Sequence, residues 1–474
     1  MNSLNKTLNI YINQILKLFQ MKNLVYLVFM NLLFMPHIFA DLTWQLPAQD
    51  VGTGSFNDNP EIVTSAIGDN VHVVWEDGAP FVFTSSSNNF GNNWSSAIAL
   101  GSVSGFPQIA TNDTGQYAYV VYRNFSSNFI LFSRSIDFGE NWTLGGSQIT
   151  LSLATSTLPN IATDSTGKYV YAIWIYSTGN VVQFSRSIDF GENFPAAASA
   201  TTLSDTTSIV TTLPKIVTSD RGQYVHAIWS GLKAPATINQ VQASSSNDFG
   251  VTWTSFVNIP ELSQSDFNAS NLDLATDGQG KNVYAVWQKS IGGGTTIVQI
   301  SRSNDFGATW TFEKTLSSTT AAVVSQTPKV VTDKTGKYVY VIWAQTGAEG
   351  VFVQIRRSIN NGETFESADS ISATNPSDTD ITTDDLGRYV YAIWNDASNF
   401  IQESSRSFDF GLSFTLAQRV SPQGENSLAA PSITTSGSGI YAYSAFDRNG
   451  GSVLVALNGI DIPRAVRRFK FTKL

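Results

Sequence analysis

Three observations on the 474-residue sequence predict an all-β fold of repeated four-stranded antiparallel sheets. A β-branched and aromatic run opening on Gly recurs eight times, a polar turn signature recurs seven times at spacings of 48 to 59 residues, and a shorter strand-like run stands before each of the eight. A period in that range marks supersecondary units that bury their apolar faces by stacking on one another.

The chain opens with an address. Residues 21–40, "MKNLVYLVFMNLLFMPHIFA", carry a Lys near the head, an apolar run over 24–35 and the small Ala40 before the polar "DLTWQ", which is the plan of a secretory signal peptide. Residues 1–20 are an extension ahead of it. The apolar run falls short of the ~20 residues needed to cross a bilayer, so no stable membrane insertion is expected after cleavage. The expected mature chain is one domain, 41–474, secreted or periplasmic.

Each unit then reads as strands A to D. Strand A is short and ends in a polar turn, as in "PNIATDST", "PKIVTSDR" and "PKVVTDKT". Strand B is "GDNVHVVW" at Gly68, "GQYAYVVY" at Gly115, "GKYVYAIW" at Gly167, "GQYVHAIW" at Gly222, "GKNVYAVW" at Gly280, "GKYVYVIW" at Gly336, "GRYVYAIW" at Gly387 and "GIYAYSAF" at Gly439. Apolar residues at both parities suit a strand buried on both faces. Strand C, such as "VVQFSRS" or "TIVQISRS", runs into the repeated turn, and strand D is expected to begin at the turn's aromatic. Units of this kind are the blades of a β-propeller.

Eight B strands face seven turns. The last unit has A ("PSITTS"), B and C ("SVLVALNG") with no turn after it, while the mature N-terminus, "DLTWQLPAQ", reads like the D strands "NWTLGGSQ" and "SFTLAQRV". Eight blades are therefore expected, the last completed by an N-terminal strand through Trp44, which removes an exposed sheet edge. The alternatives are seven blades, or closure by the C-terminal "AVRRFKFTKL".

The turn has the pattern Ser-x-Asp/Asn-x-Gly-x-x-Trp/Phe, starting at Ser87, Ser135, Ser187, Ser246, Ser303, Ser358 and Ser407. Its best copies supply Ser135, Asp137, Gly139 and Trp142, then Ser187, Asp189 and Gly191, with Asp248 and Gly250, Asp305 and Gly307, and Asp409 and Gly411 in later blades. Gly takes the φ > 0 conformation, Asp or Asn and Ser accept turn N–H bonds, and the aromatic packs beneath. These residues resemble the Asp-box (BNR) repeat of the sialidase superfamily. The resemblance implies a propeller in which the box is a structural turn at the blade periphery, away from the catalytic face.

Composition narrows the function. With a formal charge of −9 and 14% charged residues, and a single basic cluster (Arg464, Arg467, Arg468, Lys470, Lys473) at the end, nucleic acid is not an expected partner. The absence of Cys removes disulfides and thiolate sites. All eleven Trp fall at the ends of B strands or the starts of D strands, and His72 and His226 occupy a B-strand position that is Tyr elsewhere. No metal site, cofactor or His-based triad is therefore expected. Of fourteen Arg, only Arg123, Arg419 and Arg448 fall outside repeat positions and the tail.

If the A-to-B turns and the boxes share one face, the irregular B-to-C and D-to-A loops lie on the other, where binding residues concentrate. The charged candidates there are Glu76, Asp77, Arg123, Asp396, Asp447 and Arg448. The expected function is that of an exported, monomeric, non-enzymatic propeller binding a glycan or a protein on its loop face. The alternative, implied by the resemblance, is a sialidase-like glycoside hydrolase with Arg123 and Arg448 on a substrate carboxylate and Asp77, Asp396 or Asp447 as acid. Sialidases use three arginines and carry an Arg-Ile-Pro segment near the first blade, and this chain has no Arg before Arg123.

Overall fold

The computed structural model describes residues 44–459 except for the short stretches 54–56, 79–80, 154, 206–207, 211–213, 234–237, 255–260, 348–349, 373–374, 424–425, 428–429 and 449–451. The expected leader, 1–40, and the C-terminal basic cluster lie outside the described residues. What is described is almost entirely strand, arranged as four-stranded antiparallel units of a β-propeller.

In chain order the B strands are Val71–Asp77, Ala118–Asn124, Val170–Tyr176, Val225–Lys233, Val283–Gly292, Val339–Thr346, Val390–Asp396 and Ala442–Arg448, each paired antiparallel with an A strand on one side and a C strand on the other. Strand A of the fourth unit is split, Ser208–Val210 and Lys215–Thr218 both pairing with Val225–Lys233. In the last unit the outer strand is Trp44–Thr53, running antiparallel to Ser452–Asn458 from Trp44↔Asn458 to Thr53↔Ser452. It takes the remaining edge of the last C strand. Its ten residues exceed the two of most other D strands.

D strands start later than the sequence suggests. Pairing begins four to seven residues beyond the box aromatic, as with Ile149–Thr150 after Trp142. The reason is local: the residue after the aromatic bonds back to strand C (Thr143 N to Arg134 O, 2.9 Å), and the aromatic is tucked under the turn, with Trp142 Nε1 donating to Gly139 O at 3.2 Å.

Three sets of interactions join neighbouring units. The A-to-B turns form a chain of backbone hydrogen bonds that closes on itself: Ala66 N to Asp113 O, Asp113 N to Ser165 O, Ser165 N to Asp220 O, Asp220 N to Gly278 O, Gly278 N to Lys334 O, Lys334 N to Asp385 O, Asp385 N to Gly437 O, and Gly437 N back to Ala66 O, all 2.8–3.1 Å. Above it, the B-strand ring residue of every unit reaches a Gly carbonyl in the next. Tyr119, Tyr171, Tyr284, Tyr340, Tyr391 and Tyr443 donate to Gly167, Gly222, Gly336, Gly387, Gly439 and Gly68 at 2.5–2.7 Å, and His72 and His226 meet Gly115 and Gly280 at 2.9 Å. Outside these, the B-strand tryptophans Trp75, Trp174, Trp229, Trp287, Trp343 and Trp394 are at most 1% exposed and fill the clusters between sheets.

The repeated turn is itself part of this joinery. Ser135 Oγ donates to Asp137 Oδ1 at 2.9 Å and accepts from Gly139 N at 2.9 Å, while Asp137 Oδ1 accepts from Asn141 N at 2.9 Å. Two successive residues are left-handed, because the Phe before the Gly also has positive φ: Phe138 at 64°, Phe190 at 61°, Phe249 at 63°, Phe306 at 62° and Phe410 at 61°. Such a conformation costs a non-Gly residue about 1–2 kcal/mol. Stacking offsets it, since Phe190, Phe249, Phe306 and Phe410 lie 4.2–4.8 Å, centroid to centroid, from Tyr117, Tyr169, Tyr224 and Tyr338 of the preceding unit.

Candidate functional site

Strand A lines the axis, and it is irregular in the same way in most units. Its pairing with strand B shifts register between Asp58 and Glu61, Gly105 and Gln108, Thr157 and Asn160, Ser270 and Asp273, Gln326 and Lys329, and Ser377 and Asp380. Within five of these bulges sits a non-Gly residue of positive φ: Phe106 (56°), Leu158 (51°), Asn271 (49°), Thr327 (49°) and Asp378 (47°). Bulges re-aim side chains, and strained residues of this kind persist where their surroundings hold them. All five line one cavity of about 560 Å³.

At the residue where pairing resumes after each bulge, and at the equivalent position of the two units without one, one side chain per unit forms a polar ring: Glu61, Gln108, Asn160, Lys215, Asp273, Lys329, Asp380 and Ser432. Most of its members link laterally. Ser432 Oγ and Gln108 Nε2 donate to the two oxygens of Glu61 at 3.3 and 3.2 Å, and Asn160 Nδ2 donates to Gln108 Oε1 at 2.8 Å. Asn160 Oδ1, Asp273 Oδ2 and Asp380 Oδ2 accept from the backbone of the next unit, at Ile216 N, Val330 N and Ile433 N, 2.9–3.1 Å away. The lysines differ. Among the described residues neither Lys215 nor Lys329 makes a hydrogen bond or ion pair, although both line the cavity.

The charges feel one another across this space. Burial raises the Asp380 carboxyl to about 6, against the pull of Lys329 and the Ile433 amide. Burial, with the like charge of Lys329 next, lowers Lys215 below the usual lysine value despite Asp273, Glu61 and Asp380. For Lys329 burial also acts downward, but Asp273, Asp380, Glu61 and Asp378 together outweigh it and the net shift is upward. The cavity thus combines fixed amide and carboxylate acceptors, two ammonium groups with unused donors, and apolar surface from Phe106, Leu158 and Leu272.

None of the six charged loop candidates lines this cavity. Glu76 buttresses it from behind, Oε2 accepting from Phe106 N at 3.1 Å. Arg123 reaches Thr157 Oγ1 (3.2 Å) and Asn128 Oδ1 (2.6 Å) and lies over the Phe125 ring, which in turn meets Phe106 edge-on. Asp396, fully buried, holds its own loop through Ser398 N (3.0 Å) and Asn399 Nδ2 (2.6 Å). Asp447, 6% exposed, accepts from Ser427 Oγ at 2.7 Å; Asp77 is 7% exposed, and Arg448 is half-buried at the end of its B strand. Asp396 and Asp447 thus brace loops, whereas Glu76 and Arg123 bond to strand A of the next unit.

The box residues are equally remote from the cavity lining, and their bonding is that of a turn. Burial would raise the carboxyls of Asp137, Asp189, Asp248, Asp305 and Asp409, but hydrogen bonds from the residue four positions on and from the box Ser hold all five below the usual range. Among the described residues no group of three or more His, Asp or Glu is disposed to hold a metal ion. At the opposite mouth of the axis Lys334 lies 3.6–3.9 Å from Asp113, Asp220 and Asp385, all substantially exposed.

The polar ring escaped the sequence reading because a position found in every unit was treated as scaffold. Its signal is variability at a repeat position: the residue before the inward Ile, Leu or Val of strand A is in turn Glu, Gln, Asn, Lys, Asp, Lys, Asp and Ser.

No protein-family model matches the chain, and no curated protein matches it. Solved structures with a similar arrangement of strands include an α-L-arabinanase from Penicillium chrysogenum complexed with arabinobiose (11% identity, 64% of this chain and 93% of that one, TM-score 0.42). They also include an ulvan lyase from a new polysaccharide lyase family (12%, 87% and 96%, TM-score 0.47) and a Hadza microbial sialidase (10%, 87% and 95%, TM-score 0.41). At such identities and scores the likeness leaves the ligand and the chemistry to be argued from the site itself.

Proposed function

We propose that the protein is an exported Asp-box propeller that binds a glycan or a protein, without turnover, in the axial cavity on its loop face. One observation carries the reading: five strained bulges and six of the eight ring side chains, Glu61, Gln108, Lys215, Lys329, Asp380 and Ser432, line a single cavity of about 560 Å³. A space of that size, with polar groups fixed by lateral hydrogen bonds and an apolar rim, suits a small portion of a polyhydroxylated ligand. Against hydrolysis of the sialidase kind stands the cavity lining, which includes no arginine, and the burial of Asp77, Asp396 and Asp447. Export rests on the leader-like residues 21–40.

The test is a glycan array probed with residues 41–474, followed by calorimetry on any hit. Gln108→Ala and Phe106→Ala should weaken binding while a fluorogenic sialoside remains uncleaved. Binding indifferent to both substitutions would move the site elsewhere; sialic acid release abolished by Arg123→Ala or Arg448→Ala would replace the binder with the hydrolase.

A further inference from the structure

We infer that the axial cavity takes an anionic substituent of its ligand, a sulfate or carboxylate, between Lys215 and Lys329. The inference deepens the proposed binding reading and rests on the cavity being the site. Its basis is the contrast within one ring. The ring carboxylates Glu61, Asp273 and Asp380 are each tied laterally to the neighbouring unit, whereas the two ammonium groups have no hydrogen bond or ion pair among the described residues. Each ammonium offers three donors and no acceptor, and a half-buried charge without hydrogen bonds is costly unless a ligand completes it.

Position adds to this. Lys215 and Lys329 belong to the fourth and sixth units, with Asp273 of the fifth between them, and their like charges act on one another across the cavity. Asp273 Oδ2 is held by the backbone of the sixth unit, accepting from Val330 N at 2.9 Å, and makes no hydrogen bond or ion pair to either lysine among the described residues. A charge-assisted pair of this kind sets selectivity more than gross affinity.

The experiment uses the mature chain, 41–474, and matched probes: oligogalacturonate against its methyl ester, a sulfated carrageenan oligosaccharide against its desulfated form, and inorganic sulfate alone. At least one acidic oligosaccharide should bind roughly tenfold or more tightly than its neutral twin. Lys215→Met and Lys329→Met should each erase that difference, the acidic probe binding no more tightly than its neutral twin in either variant. Should Lys329→Met fail to fold, protection of Lys215 from amine acylation by the acidic probe, read by mass spectrometry on the unaltered protein, carries the same test. Neutral and acidic twins binding alike, with Gln108→Ala still weakening both, would sink the anion inference and leave the cavity reading standing. Protection by inorganic sulfate with no oligosaccharide binding would keep the lysine site, name a free anion as its occupant and overturn the glycan reading. No binding and no protection by any probe would overturn both.

Discussion

Acid should weaken this fold well above the pH at which its carboxylates titrate, and the cause is two buried histidines. His72 and His226 are fully buried and bonded at both ring nitrogens, Nδ1 to Ser86 or Ser245 and Nε2 to a Gly carbonyl of the next unit, and burial lowers both from 6.5 to about 4. Because the folded pKa lies below the unfolded one, the unfolded chain binds more protons between pH 6.5 and 4. Stability is therefore lost as pH falls through that window. Lowering the pH from 7.5 to 5.0 costs about 2 kcal/mol per histidine, or about 4 kcal/mol for the pair. Asp380 acts oppositely, since its folded carboxyl is raised to about 6, and after allowance for solvent in the cavity it returns on the order of 1 kcal/mol. The box aspartates contribute nothing in this window, as their lowered values place their loss below about pH 4.

The molecule supplies its own control. In five of the six units whose ring residue is Tyr, the residue opposite on strand C is Arg, as in Tyr119↔Arg134 and Tyr171↔Arg186, while Tyr443 faces Leu457; where the ring residue is His, the partner is Ser, as in His72↔Ser86 and His226↔Ser245. Urea unfolding followed by Trp fluorescence at pH 7.5 and 5.0 should show a net loss of about 3 kcal/mol for the unaltered chain. Exchanging both pairs, His72→Tyr with Ser86→Arg and His226→Tyr with Ser245→Arg, should abolish it. Equal stability at the two pH values, or an undiminished loss in the exchanged protein, would refute the reasoning.

Three further outcomes follow from the joinery. Gly139→Val should cost roughly 3 kcal/mol or more, because φ is +81° and a Cβ there would lie 2.0 Å from Ser86 Oγ; an unchanged melting temperature would contradict the turn's structural role. Deleting residues 41–48 removes Trp44, 6% exposed, whose burial of ~200 Å² is worth several kcal/mol, so the truncated protein should melt far below one lacking 465–474; the reverse order would reassign the closing strand. Tyr443→Phe leaves Gly68 O without its 2.6 Å donor at the junction of first and last units and should cost about 1–3 kcal/mol in urea, whereas a neutral result would make that bond dispensable.

How much of this was legible differs by element. Strands B and C announced themselves because burial on both faces forces apolar residues at both parities, and the Asp and Gly of the turn are demanded by backbone geometry. The closing strand through Trp44 was readable from a missing turn. Strand A was readable as a strand but its bulge was not, since the irregularity that carries Phe106 or Thr327 depends on packing around the axis and leaves no local motif. The left-handed Phe190 was hidden for the same reason: the ring that sustains it, Tyr117, belongs to another unit. Asp396 and Asp447 drew attention as charges in irregular loops, and only their partners reveal them as braces.

The pairing of Trp44 with Asn458 places the two ends of the described chain side by side at one end of two antiparallel strands. Tension applied through those ends loads the hydrogen bonds of that ladder one after another, as a zipper is opened, instead of shearing them together. Resistance to heat and resistance to pull are thereby decoupled. An optical trap holding the two termini should open the last sheet first and at low force, with the remaining sheets yielding only after the seam has parted.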